Sequence, residues 1–282
     1  MRDPSKRVIV ALDNMSYAEA IAMAQLLQAE VAGVKIGLER LYAEGVSATM
    51  DSLACLPGPE MVPVFADFKP YDIANTVSKA MKNLARLGPQ IINVPCLGGR
   101  KMLMAARKAV DDVWENDRYN FGLTRKPLLV GVTILTSLGF EDLREIGLIT
   151  TEGYAAVEGI TPEIAQAKTV RNLVVKLALL AKSCGLDGAV AGAHEALSIH
   201  AACGSSFKII TPGIRLAGAA ADDQVRIATP SEAIAAGADY LVIGRPITEA
   251  KDPLATLQLI NQQVAEALAQ QQEGVARYAR KS

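Results

Sequence analysis

Eight short apolar runs, each followed by a longer stretch of helical pattern, succeed one another along the 282 residues of this chain. The runs occupy residues 8–13, 33–37, 63–69, 90–94, 127–133, 188–191, 207–211 and 240–244. They are apolar almost throughout rather than alternating, as strands buried on both faces of a parallel sheet should be. Helical patterns fill the intervals at 16–29, 38–56, 73–87, 99–114, 162–184, 194–202 and 230–236, with 253–271 last. Several have marked ends: Ser16 with Glu19 at capping-box distance, and Gly88 and Gly185 where helices should stop. Eight strand–helix units predict a (β/α)8 TIM barrel, a single domain over residues 1–282. Two connections, 111–126 and 140–161, exceed what a minimal barrel needs, yet neither reads as an interdomain linker. From about residue 270 the chain turns polar, and a frayed tail is expected over 270–282.

Half of the residues are apolar and the net charge is −1, so a large core is available and nothing favours electrostatic capture of nucleic acid. Cys55, Cys96, Cys184 and Cys203 are scattered, with no C-x-x-C pair. That speaks against a zinc site or a disulfide framework, suits a reducing compartment, and makes small buried hydrophobes the expectation. Arg2, Lys6 and Arg7 precede the apolar run 8–12, but the run is too short for a signal peptide and Asp13-Asn14 ends it. No apolar stretch approaches the roughly 20 residues of a membrane span. The expectation is a soluble, cytoplasmic protein without membrane contact.

In such barrels the C-terminal ends of the strands surround the active site. The polar residues there are Asp13, Lys35, Asp67 with Lys69, Thr133 with Thr136, Thr211 and Arg245. The densest stretch is Asp67-Phe68-Lys69-Pro70-Tyr71-Asp72, two carboxylates and an ammonium within six residues. Strand alternation would point Asp67 and Lys69 the same way, with Asp72 beyond the break at Pro70. Alone, such a stretch is equally at home as a solvated salt-bridge cluster. Lys35, however, interrupts the apolar Val34-Lys35-Ile36-Gly37, and an ammonium inside a barrel needs a carboxylate partner. Asp13, Asp67 and Asp72 supply candidates, and charges at three successive strand ends favour a site over structural pairing.

A second constellation lies late in the chain: Thr211-Pro212-Gly213-Ile214-Arg215, then Gln224, then Ile243-Gly244-Arg245-Pro246. Loops after the seventh and eighth strands commonly bind phosphate in these barrels. Gly244 lets backbone N–H groups approach such a group, Arg245 offers a planar fork of donors, and Gln224 adds a neutral donor. Residues 213–223, rich in Gly and Ala, have the composition of a lid.

These blocks, with Val8-Ile9-Val10-Ala11-Leu12-Asp13, Asp72-Ile73-x-Asn75-Thr76 and Val132-Thr133-Ile134-Leu135-Thr136-Ser137, resemble the orotidine 5′-phosphate decarboxylases. The matches follow family order from residue 8 to residue 253. The D-x-K-x-x-D motif alone marks a wider suprafamily; T-P-G-I-R combined with I-G-R-P narrows it. The resemblance implies a carboxy-lyase of de novo pyrimidine biosynthesis that converts orotidine 5′-monophosphate to UMP without cofactor or metal. It implies that Lys69 protonates C6, that Asp67 lies beside the substrate carboxylate, and that Asp72 reaches into the partner's site of a homodimer. Lys35 and Asp13 would complete the charge network and contact the ribose, and Thr136 would bind the pyrimidine edge. Gln224 and Arg245 would hold the phosphate, Pro212 and Gly244 would belong to the substrate-binding set, and Arg215 would support the lid or phosphate loop.

Three positions depart from the family pattern: Pro70 and Tyr71 after the lysine, where a large apolar residue and then a small one or His is more frequent, and Ala74, where proline or glycine is frequent. They bear on loop geometry rather than on charge. The nearest rival is a magnesium-dependent decarboxylase or aldolase acting on a keto-sugar phosphate, which uses a second-strand glutamate as metal ligand. Here Lys35 puts a cation in that region, and Glu39 falls beyond Gly37 on the helix side. A non-enzymatic phosphate-binding or regulatory barrel, its charged quartet kept for structure, is the other alternative; loss of Lys69 or Asp72 would favour it, and both are present. His194 and His200, six residues apart, do not share a helix face and read as surface or helix-terminal residues.

Overall fold

The computed structural model describes residues 6–56, 61–150, 161–216 and 227–279. Eight parallel strands close into a barrel in sequence order: β1 (Val8–Ala11), β2 (Gly33–Ile36), β3 (Val64–Ala66), β4 (Ile91–Pro95), β5 (Leu128–Val132), β6 (Gly188–Val190), β7 (Lys208–Thr211) and β8 (Tyr240–Ile243). β8 pairs back onto β1, leaving no sheet edge. The helices around it are α1 (Tyr17–Leu27), α2 (Leu38–Ala43), α3 (Val46–Ala54), α4 (Ala74–Arg86), α5 (Gly99–Asp112), α6 (Phe140–Glu145), α7 (Pro162–Ser183), α8 (Ala193–Cys203), α9 (Pro230–Ala235), α10 (Arg245–Thr248) and α11 (Pro253–Ala279). The fold is the (β/α)8 barrel that the apolar alternation predicts.

The apolar strands serve two cores. Residues such as Val8, Val34, Ile92 and Leu129 pack outward under the helices. Ile9, Ala11, Phe65, Ile91, Val130, Ile210 and Val242 fill the interior. Burial at roughly 25 cal/mol per Å² makes this double layer the main driving force for closure. At the N-terminal mouth, three side chains that immediately precede strands accept backbone N–H groups of the strand before: Gln90 from Val64, Asp187 from Leu129 and Asp239 from Ile209. Asp187 also pairs with Arg107 of α5, and Asp239 with Lys208. His200 Nε2 lies 2.7 Å from the Gly237 carbonyl at the same end of the barrel, far along the chain from the motif residues.

Local details differ from the sequence reading for identifiable reasons. β3 stops at Ala66 instead of continuing to residue 69. The stretch 38–56 is two helices, separated at Gly45, whose φ of +80° a helix cannot accommodate. The expected frayed tail from residue 270 is helical through Ala279, because the Gln, Glu and Ala residues that make it polar are also good helix formers. In the 111–126 connection, α5 continues into a π-helical turn, Val113–Asp117. The 140–161 connection contains α6; residues 151–160 lie outside the described residues. Among the described residues, no helix is long and apolar enough to cross a membrane.

Three of the four cysteines are buried, as small hydrophobes should be, but Cys55 is exposed at the end of α3. Burial, and then the neighbouring Cys184, push the Cys96 thiol up to about 12. Iodoacetamide at about pH 8 is therefore expected to label Cys55 in the native protein and to leave Cys96 unmodified until denaturant is added, read by peptide mass spectrometry. Labelling of Cys96 at the rate of Cys55 would contradict this packing.

Candidate active site

Lys35 sits in β2 at the level of Ala11 in β1 and Phe65 in β3, directly above the apolar interior. Only 9% of it is exposed. Its ammonium lies 2.5 Å from Asp13 Oδ2 and 3.4 Å from Asp67 Oδ2. Gly37 makes room for the first pair: a Cβ there would stand 2.7 Å from Asp13 Oδ1 and 3.1 Å from Lys35 Nζ. Burial pulls the Lys35 pKa down, but the Asp67 and Asp13 carboxylates outweigh it and the net shift is upward. Lys35 is held charged.

Asp67 is the node of the network. Its backbone N–H still bonds the Ile36 carbonyl, so the sheet fixes its position one residue past β3. Oδ2 faces Lys35, while Oδ1 accepts from Lys69 Nζ at 2.5 Å and from Asn93 Nδ2 at 2.5 Å. Asp67 and Lys69 meet, though not by strand alternation. Beyond β3 the chain turns, and Lys69 adopts φ +49°, in the left-handed region. For a non-glycine residue this costs on the order of 1–3 kcal/mol and persists only where neighbours enforce it. The Lys69 N–H donates to Asn93 Oδ1 at 2.9 Å.

The remaining motif residues divide into two groups. Thr136 and Pro212 line the same cavity as Lys35, Asp67 and Lys69, walled on its apolar side by residues including Val132 and Val242. Its volume is about 180 Å³, enough to admit a planar ring. Gly244 and Arg245 follow β8 beside β1, where a Cβ on Gly244 would approach Ala11 to 3.5 Å. Arg215 is buried and donates to the Ile214 carbonyl at 3.1 Å, on a segment bridged to Ala228. Asp72 is exposed; its carboxylate accepts the Ile73 N–H at 2.6 Å, whereas Lys35 and Lys69 pair with Asp13 and Asp67. Gln224 lies outside the described residues, as does most of the stretch read as a lid.

The model of the "Orotidine 5'-phosphate decarboxylase / HUMPS family" matches residues 6–260. Proteins named orotidine 5′-phosphate decarboxylase are 42% identical over 264 residues in Chromobacterium violaceum and 41% identical over 276 residues in Nitrosomonas europaea. The first match covers 94% of this chain and 94% of the relative; the second covers 95% and 100%. The chain belongs to this family. A solved orotidine 5′-phosphate decarboxylase from Lactobacillus acidophilus superposes with a TM-score of 0.68 at 29% identity, covering 92% of this chain and 99% of that one.

Two observations distinguish this site from that of the magnesium-dependent rival. The group facing Asp67 from β2 is the Lys35 ammonium, where the rival needs a carboxylate. Glu39 is exposed and engaged elsewhere, accepting the Asn14 N–H at 2.6 Å and pairing with Arg40. The bond from Asn14 holds the Glu39 carboxyl below its ordinary range.

Asn93 is the site residue absent from the sequence reading. It lies mid-strand rather than at a strand end, fully buried, two residues above the interior Ile91 on the same face. Its signal was available: a lone amide inside Ile91-Ile92-Asn93-Val94. Thr133 behaves in the opposite way, for its hydroxyl is used on the Val190 carbonyl at 2.8 Å.

The upward shift of Lys35 fixes a sign. Its stabilising contribution is complete below the unfolded lysine value of about 10.4 and is lost as pH rises through the higher folded value. The stability difference between the wild type and Lys35→Met, measured by urea denaturation, should therefore be flat between about pH 7 and 9 and shrink above about pH 10. A difference already shrinking near neutrality would contradict the ion-pair assignment.

Proposed function

We propose that this chain decarboxylates orotidine 5′-monophosphate to UMP, with Lys69 as the acid that protonates C6. The observation that carries the reading is the unbroken alternation Asp13–Lys35–Asp67–Lys69 at the mouth of the barrel, beside a cavity large enough for a planar ring. Heterolysis of the C6–carboxyl bond leaves its electron pair in an sp2 orbital that the ring π system cannot delocalise. Stabilisation must come from a charge placed where the carbanion forms, stronger in the transition state than in the ground state. The Lys69 ammonium meets that need: carbon dioxide leaves, C6 takes a proton from Nζ, and solvent later reprotonates the amine.

Asp67 would crowd the substrate carboxylate, and departure of neutral carbon dioxide would relieve the repulsion. Two unit charges at 4 Å interact by about 4 kcal/mol at an effective dielectric of 20. Such a term assists but is small beside the 8–23 kcal/mol, roughly, by which enzymes lower barriers. Binding of a phosphate far from C6, by Gly244, Arg245 and Gln224 with Arg215 behind them, would supply the energy to hold the arrangement. Thr136 and Pro212 would contact the ring, and Asp13 and Lys35 the ribose. No cofactor is needed in this scheme.

The reading extends to a homodimer in which Asp72 completes the partner's site. Its carboxylate is exposed and, among the described residues, forms no ion pair with a lysine. Beside it runs a groove of about 870 Å³ lined by Leu38, Tyr42, Phe68, Pro70, Tyr71 and Phe121, and Lys69 lies on the wall of both this groove and the catalytic cavity. Tyr42, Tyr71 and Ile73 are 83%, 65% and 71% exposed, an apolar patch of the kind that marks an interface.

Purified protein should convert orotidine monophosphate to UMP in the presence of EDTA, and Lys69→Ala should abolish turnover while retaining UMP binding. Metal dependence, or a Lys69→Ala enzyme keeping most of its rate, would refute the mechanism. Asp72→Asn should also be inactive alone. Mixed with Lys69→Ala and allowed to exchange subunits, it should recover about a quarter of the wild-type rate, since half of the dimers then hold one intact site. No recovery under demonstrated exchange would confine Asp72 to its own chain.

A further inference from the structure

Lys69 is followed by proline, whose ring restricts the backbone of the residue before it, and it holds φ +49°. A side chain this strained at its backbone would relax unless something outside the loop fixed it. One group touches both the turn and the carboxylate that the lysine faces. Asn93 Oδ1 accepts the Lys69 N–H at 2.9 Å, and Asn93 Nδ2 donates to Asp67 Oδ1 at 2.5 Å. Asn93 cannot drift, being fully buried in β4, whose backbone pairs with β3 on one side and β5 on the other.

We propose that Asn93 is a positioning residue for the decarboxylation: a single amide that fixes the proton donor's backbone with its oxygen and the neighbouring carboxylate with its nitrogen. The two ends have separable roles. The oxygen end sets where the Lys69 side chain begins, and therefore where its ammonium can reach. The nitrogen end shares Asp67 Oδ1 with Lys69 Nζ, so that Asp67 keeps its orientation when the ammonium moves off to deliver a proton to C6. Aspartate at this position would keep the acceptor and lose the donor, setting a carboxylate against Asp67. Alanine would lose both.

The rate consequence rests on the decarboxylase reading; the bracket itself does not, and one experiment separates them. Asn93→Ala and the isosteric Asn93→Asp are compared with wild type for kcat, KM, UMP-binding stoichiometry, and exchange of the Lys69 amide hydrogen by NMR. Misplacement of a reacting group by about 1 Å costs roughly a hundredfold in rate, so kcat per UMP-binding site should fall by about that factor in Asn93→Ala, with KM little changed. Lys69 amide exchange should accelerate in Asn93→Ala and stay slow in Asn93→Asp, while Asn93→Asp still loses kcat. The proposal is overturned if kcat per site survives in both variants, or if the whole loss follows the fraction of folded, UMP-binding protein. If the wild type proves inactive on orotidine monophosphate, the functional reading falls and the exchange data judge the bracket: faster exchange in Asn93→Ala sustains it, unchanged exchange refutes it. Should Asn93→Ala fail to fold, Asn93→Asp alone decides, because its retained kcat per site would refute the donor role.

Discussion

An ammonium buried at the top of an apolar barrel is intolerable without carboxylates beside it, and most of the site follows from that constraint. Desolvation of such a charge costs several kcal/mol even after relaxation, and close, well-oriented partners must offset it. Lys35 finds them in Asp13 at 2.5 Å and Asp67 at 3.4 Å. Each carboxylate is in turn fixed by its own strand end: the Leu12 N–H bonds the Lys35 carbonyl, and the Asp67 N–H bonds the Ile36 carbonyl. The sheet ladder therefore continues into the site, and the charges are positioned by backbone pairing rather than by loops. Asp67, with one oxygen on each side, passes the constraint from Lys35 to Lys69.

The opposite mouth of the barrel explains how such an arrangement can be rigid. Gln90, Asp187 and Asp239 each stand just before a strand and accept an N–H from the strand before it, tying β3 to β4, β5 to β6 and β7 to β8. Arg107 and Lys208 neutralise the two acids. Polar groups are thus satisfied within the scaffold at the N-terminal end. At the C-terminal end they converge on a cavity, with apolar layers between the two sets. Electrostatic preorganisation demands a framework that does not reorganise when charge moves, and the ties on these three strand pairs help to meet that demand.

The architecture was legible because it rests on repetition. Eight apolar runs with intervening helical patterns admit few other folds, and Lys35 announced itself as a charge inside one of those runs. What was not legible depended on single-residue geometry. Lys69 does not follow the strand period, because β3 ends three residues earlier; it reaches Asp67 through a left-handed turn. Asn93 escaped notice because an amide in mid-strand carries no charge, and its partners, Asp67 and the Lys69 backbone, lie on another strand's end. Gly45 hid a helix break within a stretch of good helical pattern, and the helix-forming Gln and Ala residues after 270 hid a continuation behind polarity.

Pro70 and Tyr71, two of the positions that depart from the family pattern, acquire a physical sense from the same turn. With Lys69 left-handed and proline next, the chain is turned away from β3 and cannot fold back over the cavity as a continuing strand. It runs outward instead, so that Tyr71 and Ile73 are exposed beside the apolar groove and Asp72 stands between them, its carboxylate accepting the Ile73 N–H. Burying those side chains against a partner would also desolvate the carboxylate between them. In the proposed dimer, a cation on the partner surface would offset that cost. Lys69, on the wall shared by groove and cavity, is 28% exposed at its side chain and pairs with Asp67. In the proposed dimer, the turn that delivers the lysine to its own site would also present the aspartate to a neighbour's.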